Sequence, residues 1–299
     1  MFKNFIFDMD GTLIDSKQML KNGVVEMFEC LKNNVTHANF AIASGARLNQ
    51  IERVCEEINS RLTSKINFHK ISNCGACINH NGINEYRELT NEIMAEIICI
   101  CKTVDKDSII VCRGKEIDYA TLPQSTEGQE FFHEVDNIAR QFGIITQAVS
   151  ESEFSSRIQQ NDVLSVEIIS KKKQNEIYKN LQSIIENHGL YVALGYAIEI
   201  STLGKVAAIE KLFMLQNRDN QDNSFENTVY MGDGYNDVEV FERAKLSFGI
   251  GDNLFVLKHA TYAIDNYKQA TDFLFSSDKD SLKISSVQKL ENLGRALIK

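Results

Sequence analysis

The sequence predicts an α/β fold: a doubly wound, Rossmann-like parallel sheet interrupted by an inserted α+β domain. Three observations carry this. Short, wholly apolar runs stop abruptly at polar, glycine-containing loops, as buried parallel strands do, at Phe5-Ile6-Phe7 before Asp8, Asn39–Ala43 before Ser44-Gly45, and Thr228–Met231 before Gly232-Asp233-Gly234. Apolar residues then recur at helical spacing, at Ile51, Val54, Cys55 and Ile58 and again at Val238, Phe241 and Ala244. Between the early and late stretches that grammar lapses, and strands follow one another across short polar turns such as Gly114-Lys115.

In chain order, residues 1–84 supply the first part of the core. An insertion over 85–189 follows, with helices near Asn91–Cys101, Gln129–Phe142 and Lys173–His188. Its strands lie near Ser108–Arg113, Glu116–Thr121 and Val163–Ile169, with Tyr191–Leu194 completing the set. This pattern predicts an antiparallel sheet with helices on one face. Residues 190–275 return to the core, with a helix over Val206–Leu215 and strands at Leu246–Phe248 and Tyr262–Ile264. Residues 276–299 read as a polar loop and then an amphipathic tail helix carrying Val287, Leu290, Leu293 and Leu297.

The 299 residues hold 32 Lys+Arg against 41 Asp+Glu, a net charge of −9 that repels polyanions and argues against a nucleic-acid partner. The basic run Lys171-Lys172-Lys173 reads as the solvated start of a helix. No run approaches the roughly 18 apolar residues of a membrane span, and Asp8 comes too early for a signal peptide, so a cytosolic protein with no membrane partner is expected. Seven cysteines do not make a disulfide framework. Cys74, Cys77, Cys99 and Cys101 lack zinc-site spacing and read as small buried residues. The six histidines form no closely spaced pair and read as ordinary surface or core residues, and Gly249-Ile250-Gly251 lacks the third glycine of a dinucleotide fingerprint.

The chemistry concentrates at the strand ends. Asp8 and Asp10, two apart, can turn their carboxylates to one side. At about 4 Å such a pair repels by about 4 kcal/mol for an effective dielectric near 20, so it calls for a cation or a proton. A calcium loop is excluded, since its glycine belongs at the sixth position and Gly11 is fourth from Asp8. Asp233 offers a further carboxylate, and Asn236 and Asp237 open the next helix. Ser44-Gly45 precedes a helix, where a hydroxyl and backbone N–H groups suit a phosphate oxygen, and Lys205 offers a balancing charge.

As a set, Asp8-Met9-Asp10-Gly11-Thr12, Ser44, Lys205 and Gly232-Asp233-Gly234-Tyr235-Asn236-Asp237 resemble the four motifs of the haloacid dehalogenase superfamily of phosphotransferases. The interval from Thr12 to Ser44 is short and that from Ser44 to Lys205 several times longer, a spacing similar to that of members with a type C2 cap. The order of elements in the insertion, and Asn73-Cys74-Gly75-Ala76-Cys77-Ile78 before Asn81-Gly82, resemble the Cof-type, or IIB, sugar-phosphatase branch. Two departures stand out: Cys74 replaces the branch's usual asparagine, and Ser44-Gly45-Ala46-Arg47 replaces its Thr-Gly-Arg.

The resemblance implies a nucleophile at Asp8 that forms an aspartyl-phosphate, and an acid, then base, at Asp10. It implies Mg²⁺ held by Asp8, the backbone carbonyl of Asp10 and Asp233. Phosphate oxygens would meet the Met9 N–H, Ser44, the Gly45 N–H, Lys205 and Asn236, with Asp237 orienting Lys205. The expected activity is Mg²⁺-dependent hydrolysis of a small phosphorylated metabolite, a sugar phosphate by resemblance. The alternatives are a phosphomutase of the same fold and a catalytically silent binding protein, whose signature would be loss of Asp8 or Asp10.

Overall fold

A computed structural model describes residues 2–275 except 116, 142–143, 161 and 218–222, so the expected tail helix lies outside the described residues. The chain divides into two compact units. One comprises the chain up to Ser72, Ile78–Asn84 and the chain from Lys205, and the other comprises Asn73–Cys77 and Glu85–Gly204.

The first unit begins with β1 (Asn4–Phe7), α1 (Val24–Asn34), β2 (Asn39–Ala43), α2 (Leu48–Arg61), β3 (Phe68–Ser72), β4 (Cys77–His80) and β5 (Ile83–Tyr86). The second contains α3 (Asn91–Val104), β6 (Ile109–Gly114), β7 (Asp118–Thr121), α4 (Thr126–Gln141), β8 (Thr146–Val149), α5 (Glu151–Gln160), β9 (Val163–Ile169), α6 (Gln174–His188), β10 (Tyr191–Leu194) and β11 (Ile198–Ser201). The chain then returns through α7 (Lys205–Asn217), β12 (Thr228–Gly232), α8 (Val238–Arg243), β13 (Leu246–Ile250), α9 (Leu254–Leu257), β14 (Tyr262–Ile264) and α10 (Tyr267–Phe275).

The core sheet runs β14-β13-β12-β1-β2-β3-β4-β5, and the pairings from β14 through β3 are parallel. Every residue of β1 is buried, because both faces of the sheet are covered. On one face Phe5, Phe7, Phe28, Phe40 and Phe68 interlock with the apolar stripes of α1 and α2. Phe7 and Phe28 lie 4.8 Å apart, and Phe28 and Phe68 meet edge-on at 5.2 Å. On the other, Ile6, Ala41, Ile71 and Tyr230 pack against α7 and α8. The sheet is therefore doubly wound, as expected. Strand β1 lies between β2 and β12, so successive connections leave it in opposite directions and a crevice opens beyond its carboxyl end.

The second unit departs from expectation in three respects. Its sheet, β10-β11-β9-β6-β7-β8, is antiparallel except where β7 and β8 run parallel, joined by the crossover helix α4. Helices cover both faces, not one: α3, α5 and α6 bury Ile110, Cys112, Val166 and Ile168, while α4 lays Phe132 over Ile109, Val111, Ala120 and Ile169. The strands carry apolar residues at both parities, and each face needs a cover. Finally, the unit runs to Gly204 rather than ending at 189, because β10 and β11 pair antiparallel into it through β9. Among the described residues no helix is long and apolar enough to cross a membrane.

Candidate active site

The site assembles at the carboxyl ends of β1, β2 and β12 and at the first turn of α7. Beyond β1 the chain keeps its parallel register for one more bond, Asp8 N–H to the Met231 carbonyl at 2.8 Å, and then folds back as Leu13 N–H bonds the Met9 carbonyl at 2.8 Å. Gly11 makes the reversal possible. Its φ is +78°, and a Cβ there would run into the Asp233 carboxylate. The turn leaves Asp8 buried and Asp10 exposed.

Lys205, the first residue of α7, is buried, and its Nζ bridges Asp8 Oδ1 at 2.5 Å and Asp237 Oδ1 at 2.6 Å. Asp237 is fully occupied. Its Oδ1 also accepts from the Tyr230 hydroxyl at 2.5 Å, while Oδ2 accepts the backbone N–H groups of Asp233 at 3.0 Å and Gly234 at 2.8 Å. A carboxylate offers about four lone-pair sites, and here all four are taken. Asp233 Oδ1 accepts from the Thr12 hydroxyl at 2.8 Å, and Thr12 is held in turn by the Tyr267 hydroxyl bonded to its carbonyl. Ser44, buried at the end of β2, donates to Asp10 Oδ2 at 3.2 Å and accepts from Ala46 N–H at 2.9 Å.

One oxygen each of Asp8, Asp233 and Asp237 lies within 4.8 Å of the others, and one ammonium bridges Asp8 and Asp237. Burial pushes the Asp8 carboxyl well above its ordinary range; Lys205 opposes this, and Asp237 and Asp233 reinforce it. Burial raises Asp233 as well, against the pull of its Thr12 bond. For Lys205, burial acts downward, but Asp237 and Asp8 outweigh it and hold the ammonium well above its usual value. The cluster is thus short of positive charge. Asp8 Oδ2 and Asp233 Oδ2 have no protein hydrogen-bond partner among the described residues, whereas Asp237 has none of its lone pairs to spare. An all-oxygen donor set with excess negative charge suits a hard divalent cation, and the open atoms are those of Asp8 and Asp233.

Of the residues expected from sequence, the structure joins Asp8, Lys205, Asp237 and Asp233 in one hydrogen-bonded network and pairs Asp10 with Ser44 in a second. Met9 uses its carbonyl in the turn, Gly45 adjoins Ser44, and Asn236 sits half-buried in the turn over Tyr235–Asp237. Sequence reasoning assigned no role to Thr12, Tyr230 or Lys21, whose ammonium bonds the Gly11 carbonyl. A signal for Tyr230 existed: a phenol within a wholly buried strand must place its hydroxyl on a partner.

These features define a doubly wound α/β protein with an acidic, lysine-bridged site at the topological switch point. The chain belongs to the haloacid dehalogenase-like hydrolase family, whose model matches residues 5–272. Among curated proteins no match is found. Several solved structures share the fold. SMU.1108c from Streptococcus mutans is 19% identical at a TM-score of 0.69, with all of both chains covered. A haloacid dehalogenase-like hydrolase from B. subtilis is 16% identical at 0.68, covering 92% of this chain and 99% of its own. A protein described as the subclass IIB sugar phosphatase BT4131 is 16% identical at 0.67, covering 90% and 95%. The Cof-type, or IIB, order of elements read from the sequence agrees with the fold shared with the neighbour described as subclass IIB.

Proposed function

We propose that this protein is a Mg²⁺-dependent phosphatase that hydrolyses a small phosphorylated metabolite, with sugar phosphates as the substrate class, through an aspartyl-phosphate on Asp8. The observation that carries this reading is the Lys205 bridge between Asp8 and Asp237, which presents one buried carboxylate beside a fixed cation. Family membership supports the hydrolase class, and the neighbour described as a sugar phosphatase supports the choice of ester.

Asp8 attacks phosphorus, forming its carboxylate oxygen–phosphorus bond as the bond to the leaving oxygen breaks. Asp10, exposed and hydrogen-bonded by Ser44, gives its proton to that oxygen and then takes one from the water that attacks the aspartyl-phosphate, releasing phosphate. Lys205, Ser44, Asn236 and the N–H groups of Met9 and Gly45 bind the phosphoryl oxygens, where fixed donors stabilise developing charge without reorganising. Asp237 and Tyr230 position Lys205. Asp8, the backbone carbonyl of Asp10 and Asp233 would hold Mg²⁺, which when bound offsets the repulsion between an anionic nucleophile and an anionic phosphate.

The test is phosphate release from a panel of phosphorylated sugars, cofactors and nucleotides, with Mg²⁺ or chelator, for the wild type and Asp8→Asn. Release that requires Mg²⁺ and vanishes in Asp8→Asn is expected. Full rate in Asp8→Asn would remove the nucleophile assignment, and an isomerised sugar phosphate without free phosphate would make the protein a mutase.

A further inference from the structure

The first unit carries a second concave site at the opposite pole of its sheet. Where β2 and β3 begin, a cavity of about 490 Å³ opens, within the size range of small-molecule sites. Its walls include Lys32, His37, Lys65, His69, His80 and Gln216, and among the described residues no Asp or Glu lines it. For a chain of net charge −9 this is a marked local excess of positive and donor groups.

Two of the buried side chains in these walls have a polar atom without a partner among the described residues. His69 is 7% exposed and Gln216 3%, yet His69 Nδ1 and Gln216 Oε1 are buried atoms with no hydrogen bond among the described residues. Natural structures rarely leave such groups unpaired, so both side chains hold hydrogen-bonding capacity that the described residues do not use. His80 stacks on His69 at 4.8 Å and carries an unpartnered buried Nδ1 of its own. The dipole of α1 accounts for Lys32 in its last turn, where Nζ bonds the Ser64 carbonyl at 2.6 Å. It accounts for neither Lys65 nor the imidazoles. A metal does not fit, because among the described residues the histidines form no group able to hold one.

We propose that this cavity binds a small hydroxylated anion, a sugar phosphate or a hydroxy-polycarboxylate, at a site separate from the catalytic carboxylates. The ammonium groups of Lys32 and Lys65 and the imidazole N–H groups are donors for oxyanion oxygens, and the side-chain amide of Gln216 lines the same cavity. Burial, with His80 and Lys70, drives the His69 imidazole down to about 4, so it enters the complex neutral, and an arriving anion reverses that pressure.

The test reads imidazole resonances of the full, metal-stripped chain by NMR in about 0.15 M NaCl, where exposed charges are screened beyond about 8 Å. Glucose 6-phosphate and citrate are titrated separately. The expected result is a saturating shift of His69 and His80 at low millimolar ligand, weakened at least tenfold in the Lys32→Ala/Lys65→Ala double variant, whose melting temperature falls by no more than about 4 °C from losing the Lys32 contacts with α1 and Ser64. Response to one ligand alone identifies phosphate or carboxylate as the recognised group. Absence of any shift with either, or shifts that the double variant leaves unchanged, would overturn the proposal. Since no turnover is measured, failure of the phosphatase reading leaves this result interpretable.

Discussion

Replacing Lys205 by Met removes the cation that bridges Asp8 and Asp237 while keeping most of its volume. Its two bonds, at 2.5 and 2.6 Å, are charge-assisted and buried, and bonds of that kind contribute about 1.5–3 kcal/mol each. Breaking a buried ion pair from one side costs about 3–5 kcal/mol, because the abandoned carboxylates stay desolvated. The expected loss in urea unfolding at neutral pH, without divalent metal, is therefore about 3–5 kcal/mol. The pH dependence has a definite sign. The Asp8 carboxyl is already raised by burial and rises further without Lys205, so the folded variant binds protons more readily than the unfolded chain, and its stability falls as pH rises. The deficit should shrink as the pH is lowered and widen as it is raised. Adding Asp237→Asn to Lys205→Met should recover part of the loss, since it removes one of the stranded charges. A variant within about 1 kcal/mol of the wild type, or a deficit that is flat in pH, would refute this account of the cluster.

Tyr230→Phe deletes one of the four donors to Asp237 and should cost about 1–3 kcal/mol of stability by chemical denaturation, lowering kcat more than it changes KM; unchanged stability would mean that the hydroxyl is dispensable. Gly11→Ala places a Cβ at φ +78° against Asp233, so a stability loss of about 1–2 kcal/mol and at least tenfold weaker Mg²⁺ binding by calorimetry are expected, with normal Mg²⁺ affinity as the contrary result. His69, lowered to about 4 from 6.5, binds fewer protons folded than unfolded between those values, so it makes stability rise with pH across that window, by about 3 kcal/mol in all. In chloride buffers His69→Phe should flatten that rise, and equal slopes for the two proteins would contradict it.

Much of the first unit was legible in the sequence because its signals are local. A buried parallel strand must be apolar throughout and must end where a polar loop begins, so Phe5–Phe7, Asn39–Ala43 and Thr228–Met231 announced both the strands and the site at their ends. The amphipathic stripe of α2 was equally explicit, since Ile51, Val54, Cys55 and Ile58 are its buried residues. The second unit was harder. That α4 covers the opposite sheet face, that β8 lies parallel to β7, and that β10 and β11 belong with β9 depend on pairing partners distant in the chain, and neither periodicity nor turn chemistry encodes them.

The same division holds within the site. The resemblance to the four superfamily motifs brought Asp8, Asp10, Ser44, Lys205, Asp233 and Asp237 together on paper, and each of these motifs lies where a strand ends or a helix opens. Only the tertiary structure distributed the lone pairs. It saturates Asp237 with Lys205, Tyr230 and two backbone N–H groups, and leaves Asp8 and Asp233 with oxygens to offer. The histidines make the point most directly. His37, His69 and His80 read as ordinary residues, and their convergence on one cavity follows from the adjacency of β2, β3 and β4, a property of the folded sheet and not of any local stretch of sequence.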